Sequence, residues 1–404
     1  MQLKFISVLA TILILFAVLI NAQEKVVEKD LPENTLEKTI ESKEKIKVDF
    51  LFNYYDQDGD HSPVTGGKGT ESQHVIAPVI IINIPFKKLN IIDINVGQDI
   101  ISSASTDKID GATSSASSKD TRIHGNLWYT RILPDPRQSI GLMAGFSNEF
   151  DVSSIQGGLR YSFQTADQND EISFTAQYFE DKWKLIYPLE LRPDLFFKTL
   201  KPLADDTRQS INFSINYSHV FTKDLQGSLT TDIVQQKGLL STPFHRVFLD
   251  NNTTDIERLP DSRFKVAIGL KLNYYINDFI STRFFYRYYF DDFGVTANSF
   301  ELELPIKVGK QFQVSPFYRF YLQSAADYFA AYQKNKAGSE FHTSDYDLSA
   351  FNSNLYGIQL RYTPLWDLWS GHFNIDSIDL RVAQYNRDDG LDAISISFGF
   401  SSSF

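Results

Sequence analysis

The 404-residue sequence contains no cysteine. That excludes disulfides, cysteine-ligated zinc, covalent c-type haem and a lipid anchor on an N-terminal cysteine. An excess of basic residues is lacking too. The formal net charge is −11 and the pI is near 5.2, which argues against nucleic acid as a partner. Beyond the first twenty or so residues no apolar run is long enough for a helical membrane span. There is no phosphate loop, no zinc-protease helix motif and no haem motif. Nucleophile–base spacing is not visible either, so neither an enzyme nor a cofactor is expected.

What is present begins with an export pattern. Lys4 supplies a positive start, Phe5 to Ile20 is apolar and uncharged, and Asn21-Ala22-Gln23 follows. This predicts a signal peptide over 1–22, cleaved near Ala22. The alternative, a membrane anchor, meets an apolar run shorter than the roughly 20 residues of a span. Residues 23–44 form a charged leader, expected in the periplasm. Glu24 to Glu44 reads EKVVEKDLPENTLEKTIESKE, either a short surface helix after Pro32 or an unstructured stretch.

From Lys45 the hydrophobic period becomes two. Ile46, Val48, Phe50, Phe52 and Tyr54 alternate with Lys45, Lys47, Asp49 and Asn53. The same alternation recurs along the chain, most clearly at Phe264, Val266, Ile268, Leu270, Leu272 and Tyr274. It ends with Ile394, Ile396, Phe398, Phe400 and Phe404. Aromatics make up 14% of the chain, with 33 Phe and 20 Tyr, yet the mean hydropathy is slightly negative. Apolar residues spread on alternate positions give that average, and they fit strands with one face in lipid and one in a polar lumen. Short connections near Lys87, Asp135, Ala166 to Asp170, Lys223-Asp224, Asn277-Asp278 and Gly309-Lys310 alternate with longer ones. The long ones are Gln57 to Gln73, Ser102 to Asp120, Phe179 to Thr207, Lys237 to Asp261 and Gln323 to Ser353. Exceptions fall near Asp151, Asp291 and Thr363 to His372. The expectation is an all-β fold: a transmembrane antiparallel up-and-down β-barrel over 45–404. It has about 16 strands, short periplasmic turns and long extracellular loops.

Positions opposite the apolar face predict the lumen. They include Arg263, Lys265, Lys271, Arg283, Arg287, Lys307, Arg319, Arg361 and Arg381, with Asp232, Glu301, Glu303 and Asp379. These charges either pair between neighbouring strands or form a basic wall that favours anions. In the outer loops, His245 is either a metal ligand or a hydrogen-bonded structural residue. Asp291-Asp292 is a turn pair serving lumen arginines, or part of a catalytic or calcium site joined by Asp327, His342, Asp345 and Asp347. Arginines confined in a lumen need counter-charges. The arrangement favoured is one polar network of His245, Arg246, Arg287, Asp291, Asp292, Arg319 and Asp327, tethering the loops across the lumen.

Three local strings carry a resemblance. They are Ser241-Thr242-Pro243-Phe244-His245-Arg246-Val247-Phe248 followed by Leu259-Pro260 and Arg263, Tyr286-Arg287-Tyr288-Tyr289-Phe290-Asp291-Asp292-Phe293-Gly294, and Pro316-Phe317-Tyr318-Arg319-Phe320-Tyr321-Leu322-Gln323 running into Ala325-Ala326-Asp327-Tyr328-Phe329. Their order resembles a bacterial outer-membrane β-barrel family of unknown function, domain-of-unknown-function family 3570, over most of the chain after Lys45. The first strand lacks such motifs. The resemblance implies the Gram-negative outer membrane, and its members look as if they sit beside redox and flavin-transfer proteins of the envelope. The terminal Phe404 likewise resembles the signal by which the barrel-assembly machinery receives such chains. Two functions follow as expectations: a porin-like channel for small solutes with loops partly closing the lumen, or a structural sheath or docking barrel for an envelope protein partner.

Overall fold

The computed structural model describes residues 45–105, 119–192, 204–365 and 373–404. The expected signal peptide and leader lie outside these residues, as do the centres of the Ser102 to Asp120 and Thr363 to His372 connections. Strands β1 (Lys47–Gly59), β2 (Glu71–Phe86), β3 (Asn90–Ser105) and β4 (Lys119–Ile132) open the sheet. They are followed by β5 (Gln138–Asn148), β6 (Val152–Gln164), β7 (Asp170–Lys184), β8 (Asp205–Thr222) and β9 (Leu225–Gly238). The second half holds β10 (Ser262–Tyr275), β11 (Ser281–Asp291), β12 (Thr296–Glu303 continuing as Ile306–Val308) and β13 (Phe312–Gln323). It ends with β14 (Phe351–Tyr362), β15 (Asn374–Arg387) and β16 (Asp392–Ser403).

Each strand pairs antiparallel with the next, and β16 closes on β1 from Lys47↔Ser403 to Asp58↔Asp392. The result is a closed 16-strand up-and-down barrel. Closure leaves the barrel wall without a free edge, which satisfies the backbone of a wall without water. The break in β12 falls at Leu304-Pro305. Proline has no N–H to give the ladder, and its carbonyl instead accepts from Ser281 N at 3.1 Å.

Strict alternation sets which side chains face out. In β10 the register places Val266 between Ile233 and Phe290, and Leu270 between Leu229 and Tyr286. Apolar residues thus form continuous rows across strands, on the convex side. Ile155 is 67% exposed, Leu159 59% and Leu142 56%. Side chains that large and that open around a whole wall mark a surface built for an apolar solvent. The concave side carries the polar set. One interior cavity of ≈ 510 Å³ touches Tyr55, Gln57, Glu71 and Gln73, and another of ≈ 410 Å³ touches Ser154, Gln156, Asn212 and Gln236.

Connections segregate by end. Those at one end are tight: 87–89, 133–137, 165–169, 223–224, 276–280 and 309–311, with 363–373 longer. Lys87 and Lys88 take positive φ of 50° and 59° in the first of them, a backbone that closes a two-stranded hairpin without splaying it. At the mouth are loops L1 (60–70), L3 (149–151), L4 (described over 185–192), L5 (239–261), L6 (292–295), L7 (324–350) and L8 (388–391), the connection 106–118, numbered L2, lying outside the described residues. The short L3 and L6 are the exceptions expected near Asp151 and Asp291, and L8 is a third short loop that was not expected.

Candidate functional site: the charged lumen and the loop plug

The lumen charges pair along the sheet. Arg319 meets Glu301 at 2.5 Å, directly opposite it in the β12–β13 register. Arg283 meets Glu303 at 2.8 Å in the β11–β12 register, and Arg361 meets Asp379 at 2.7 Å in the β14–β15 register. Arg287 reaches Asp232 at 3.4 Å, and Arg381 reaches Glu303 at 3.7 Å while lying 3.6 Å from the Phe317 ring centre. Of the two sequence readings of this face, pairing between neighbouring strands is the one observed for Arg283, Arg319 and Arg361. These three each have an acid directly opposite on the neighbouring strand, about 5 Å away between Cβ atoms, while Arg287 reaches past β10 to Asp232 on β9 and Arg381 past β14 and β13 to Glu303 on β12.

Above this lumen the mouth loops fold onto one another. Phe293 and Val295 of L6 and Ala326 of L7 are buried together, with Leu240 and Leu259 of L5 and Tyr328, Phe329 and Leu348 of L7 packed around them. This is a small hydrophobic core made entirely by connections, apart from Tyr289. Gly294 is essential to its turn. Its φ is +85°, and a Cβ there would stand 2.6 Å from the Asp327 carboxylate. L5 and L7 are stitched by paired backbone bonds, Arg258 N to His342 O at 3.0 Å and His342 N to Arg258 O at 2.8 Å. Within L5 the short strands Arg246–Phe248 and Thr254–Ile256 form a hairpin.

Two arginines fasten this plug. Arg246 is buried; its guanidinium donates to Glu190 of L4 at 2.6 and 3.1 Å and to the Val64 carbonyl of L1 at 2.8 Å. Arg387, from the lumen face of β15, donates to Asp347 at 2.6 Å and to the Tyr346 carbonyl at 2.9 Å, and also pairs with Asp389. His61 of L1 stacks on Tyr346 at 3.9 Å between ring centres. L7 therefore turns inward against the wall, and the ≈ 510 Å³ cavity lies between its Asp345-Tyr346-Asp347 segment and lumen residues Tyr55, Leu355 and Tyr385.

A titratable cluster sits where L5 meets L7. His245 Nδ1 is 3.8 Å from Glu257 Oε1 and 3.8 Å from Asp345 Oδ2. Burial acts to lower the His245 pKa, but the Glu257 carboxylate, then Asp345 and Glu71, overcome it and raise it to about 9. Burial pushes the Asp345 carboxyl up to about 6 despite the imidazole beside it. For Glu257 burial also acts upward, yet His245 and the bonds from Thr343 and Thr242 hold it below the ordinary carboxylate range.

The seven residues expected to form one network do not converge. Arg319 keeps to Glu301, opposite it, and Arg287 to Asp232, two strands away. Asp291 is taken by Arg263, by the Tyr289 hydroxyl at 2.6 Å and by the amides of Phe293 and Val295, each at 3.0 Å. Asp292 accepts from Phe264 N at 3.0 Å, and Asp327 lies under Gly294. Arg246 belongs to the L1–L4–L5 junction and His245 to the L5–L7 junction. Tethering of the loops is present, but through different partners: Arg319 takes the acid opposite it on the adjacent strand, and Arg287 takes Asp232 across the lumen face of β10. The acids do not gather into one group either. His342 bonds the Ile256 carbonyl at 3.1 Å and Asp347 serves Arg387, so only Asp345 joins His245. Glu190, Glu257 and Arg387 were not singled out in the sequence. Glu190 and Arg246, Glu257 and His245, and Arg387 and Asp347 are 56, 12 and 40 residues apart, and no local pattern marks them.

The fold and its two faces define a class: a membrane-spanning barrel with a polar interior and a loop-filled mouth. Within it, the chain belongs to the family described as protein of unknown function (DUF3570), whose model matches residues 111–393. Similar solved structures include one described as a bacterial polysaccharide outer membrane secretin, 7% identical with a TM-score of 0.45, over 89% of this chain and 99% of that one. Others are OpdQ of Pseudomonas aeruginosa, 9% identical, TM-score 0.39, over 89% and 98% of the two chains, and a BenF-like porin of Pseudomonas fluorescens Pf-5, 9% identical, TM-score 0.39, over 89% and 99%. No curated protein matches the chain in sequence.

Proposed function

We propose that the protein is a porin-like channel of the Gram-negative outer membrane, passing small polar solutes through a lumen that the L1–L4–L5–L7 plug narrows. The observation that carries this reading is the partition of the wall: apolar rows outside, paired charges and interior cavities inside. A 16-strand barrel is wide enough for an aqueous path that loops only partly fill. The tight-turn end faces the periplasm, where a signal-directed chain arrives, and the long loops face out. At the turn end Phe404 packs on Phe373 at 5.0 Å, and its amide bonds the Ile46 carbonyl at 2.9 Å. That terminal aromatic would be what the barrel-assembly machinery engages.

The tightly knit plug favours a second reading, a docking barrel for an envelope protein partner, in which the lumen stays shut. Swelling of liposomes carrying the purified barrel separates the two. Uptake of small sugars supports the channel; impermeability to sugars and to salt alike supports the docking barrel.

A further inference from the structure

We propose that His245, Glu257 and Asp345 form a binding site for one divalent first-row transition ion, of the zinc class, at the junction of L5 and L7. His245 Nδ1 is closed off from solvent and has no hydrogen-bond partner among the described residues. Two carboxylate oxygens from different loops lie 3.8 Å from it. An imidazolium held by a carboxylate normally closes to about 2.8 Å; here both acids stand off by the same distance. Three donors around a tetrahedral ion, each about 2.1 Å from it, lie about 3.4 Å apart. These ligand atoms are all within 4.8 Å of one another, so small shifts would close the cage on an ion. One nitrogen with two carboxylates suits zinc and its neighbours, whereas calcium and magnesium prefer oxygen alone.

The surroundings have the form of a metal site's supporting shell, in which hydrogen bonds aim the ligands. Thr242 N donates to Glu257 Oε2 at 2.6 Å and the Thr343 hydroxyl to Oε1 at 2.5 Å. Asp347 N donates to Asp345 Oδ1 at 2.9 Å, leaving Oδ2 toward the imidazole. The Glu257 amide also bonds the His245 carbonyl at 3.0 Å, which fixes these two ligands relative to one another. Asp345 lines the ≈ 510 Å³ cavity together with Glu71. An ion and its remaining water ligand would therefore arrive through the lumen, past acidic groups that favour a cation.

The test uses the full-length barrel, purified in detergent and stripped with a chelator. Zinc titration by calorimetry should show one ion per chain. His245→Ala and Asp345→Asn should each weaken uptake by more than about tenfold, the scale at which even supporting-shell changes act. His219→Ala, which alters a histidine paired with Asp170 at the other end, should leave it unchanged. X-ray absorption of the zinc-loaded wild type gives a readout independent of any variant: one imidazole and otherwise oxygen in the ligand shell. Absence of stoichiometric uptake, uptake unaffected by both variants, or a shell with no imidazole or more than one would overturn the assignment.

Discussion

Replacing Arg246 by alanine would loosen the plug without opening the barrel wall. The change removes two charge-assisted bonds to Glu190 and one to the Val64 carbonyl, so L1, L4 and L5 lose their common fastening. The arginine side chain is 1% exposed, but Glu190 is 42% exposed. Breaking a fully buried pair costs about 3–5 kcal/mol, while an exposed pair contributes about 0–1 kcal/mol. Because Glu190 is already partly in water while the arginine's space is left void, the cost lies between these limits, about 2–3 kcal/mol. At 1.4 kcal/mol per tenfold, that raises the open population of the plug about 30- to 140-fold. Amide hydrogen exchange reads it directly, because local opening sets the protection of each loop amide. Peptides covering 60–70 and 239–261 should lose protection by that factor, while those in β10 and β13 stay as in the wild type. Arg246→Lys, which keeps the charge but not the two-pronged geometry, should fall between. Loop protection within about threefold of wild type in Arg246→Ala would refute the fastening role.

Three further outcomes are expected. Ile268→Arg, on the convex face, should destabilise the barrel by roughly 2–4 kcal/mol in lipid vesicles, whereas Gln156→Arg, beside an interior cavity, should cost under about half of that; equal costs would mean the faces are assigned wrongly. Glu301→Gln releases Arg319 from its 2.5 Å partner and should shift reversal potentials toward anion preference, with no shift counting against a conducting lumen. The His245 pKa is raised above its ordinary 6.5, so its contribution to L5–L7 packing is complete below that pH and is lost as pH rises through about 9. In the metal-stripped protein its NMR midpoint should lie near 9 and drop in Glu257→Gln; a wild-type midpoint at or below 6.5 contradicts the pairing.

The wall was legible in the sequence because a strand's side-chain period is two, and a barrel with lipid outside and water inside imposes it on every strand. Phe264 to Tyr274 needed nothing beyond counting. The alternation of short and long connections likewise followed from the up-and-down path. The room available at each position was not legible: Ala267 points inward as expected, but it is only 4% exposed, enclosed by neighbours that counting cannot size. Partner choice was less legible again. Sequence proximity suggested strand-end acids for Arg287 and Arg319, but pairing depends on register, which sets Arg319 opposite Glu301. The plug was the least legible part. Arg246 bonds a carbonyl 182 residues away and an acid 56 residues away, and such contacts exist only once the barrel has brought the loops around one mouth.

If the lumen is a polar conduit narrowed by its own loops, single-channel recording in planar bilayers will register it. Wild type should be compared with a variant in which 325–349 is replaced by a short glycine–serine turn. Discrete conductance steps are expected in the wild type and larger ones in the variant, because removing L7 takes away the Asp345-Tyr346-Asp347 segment that Arg387 holds against the lumen wall. A variant that inserts and folds, yet passes no more current than bare lipid, would contradict it.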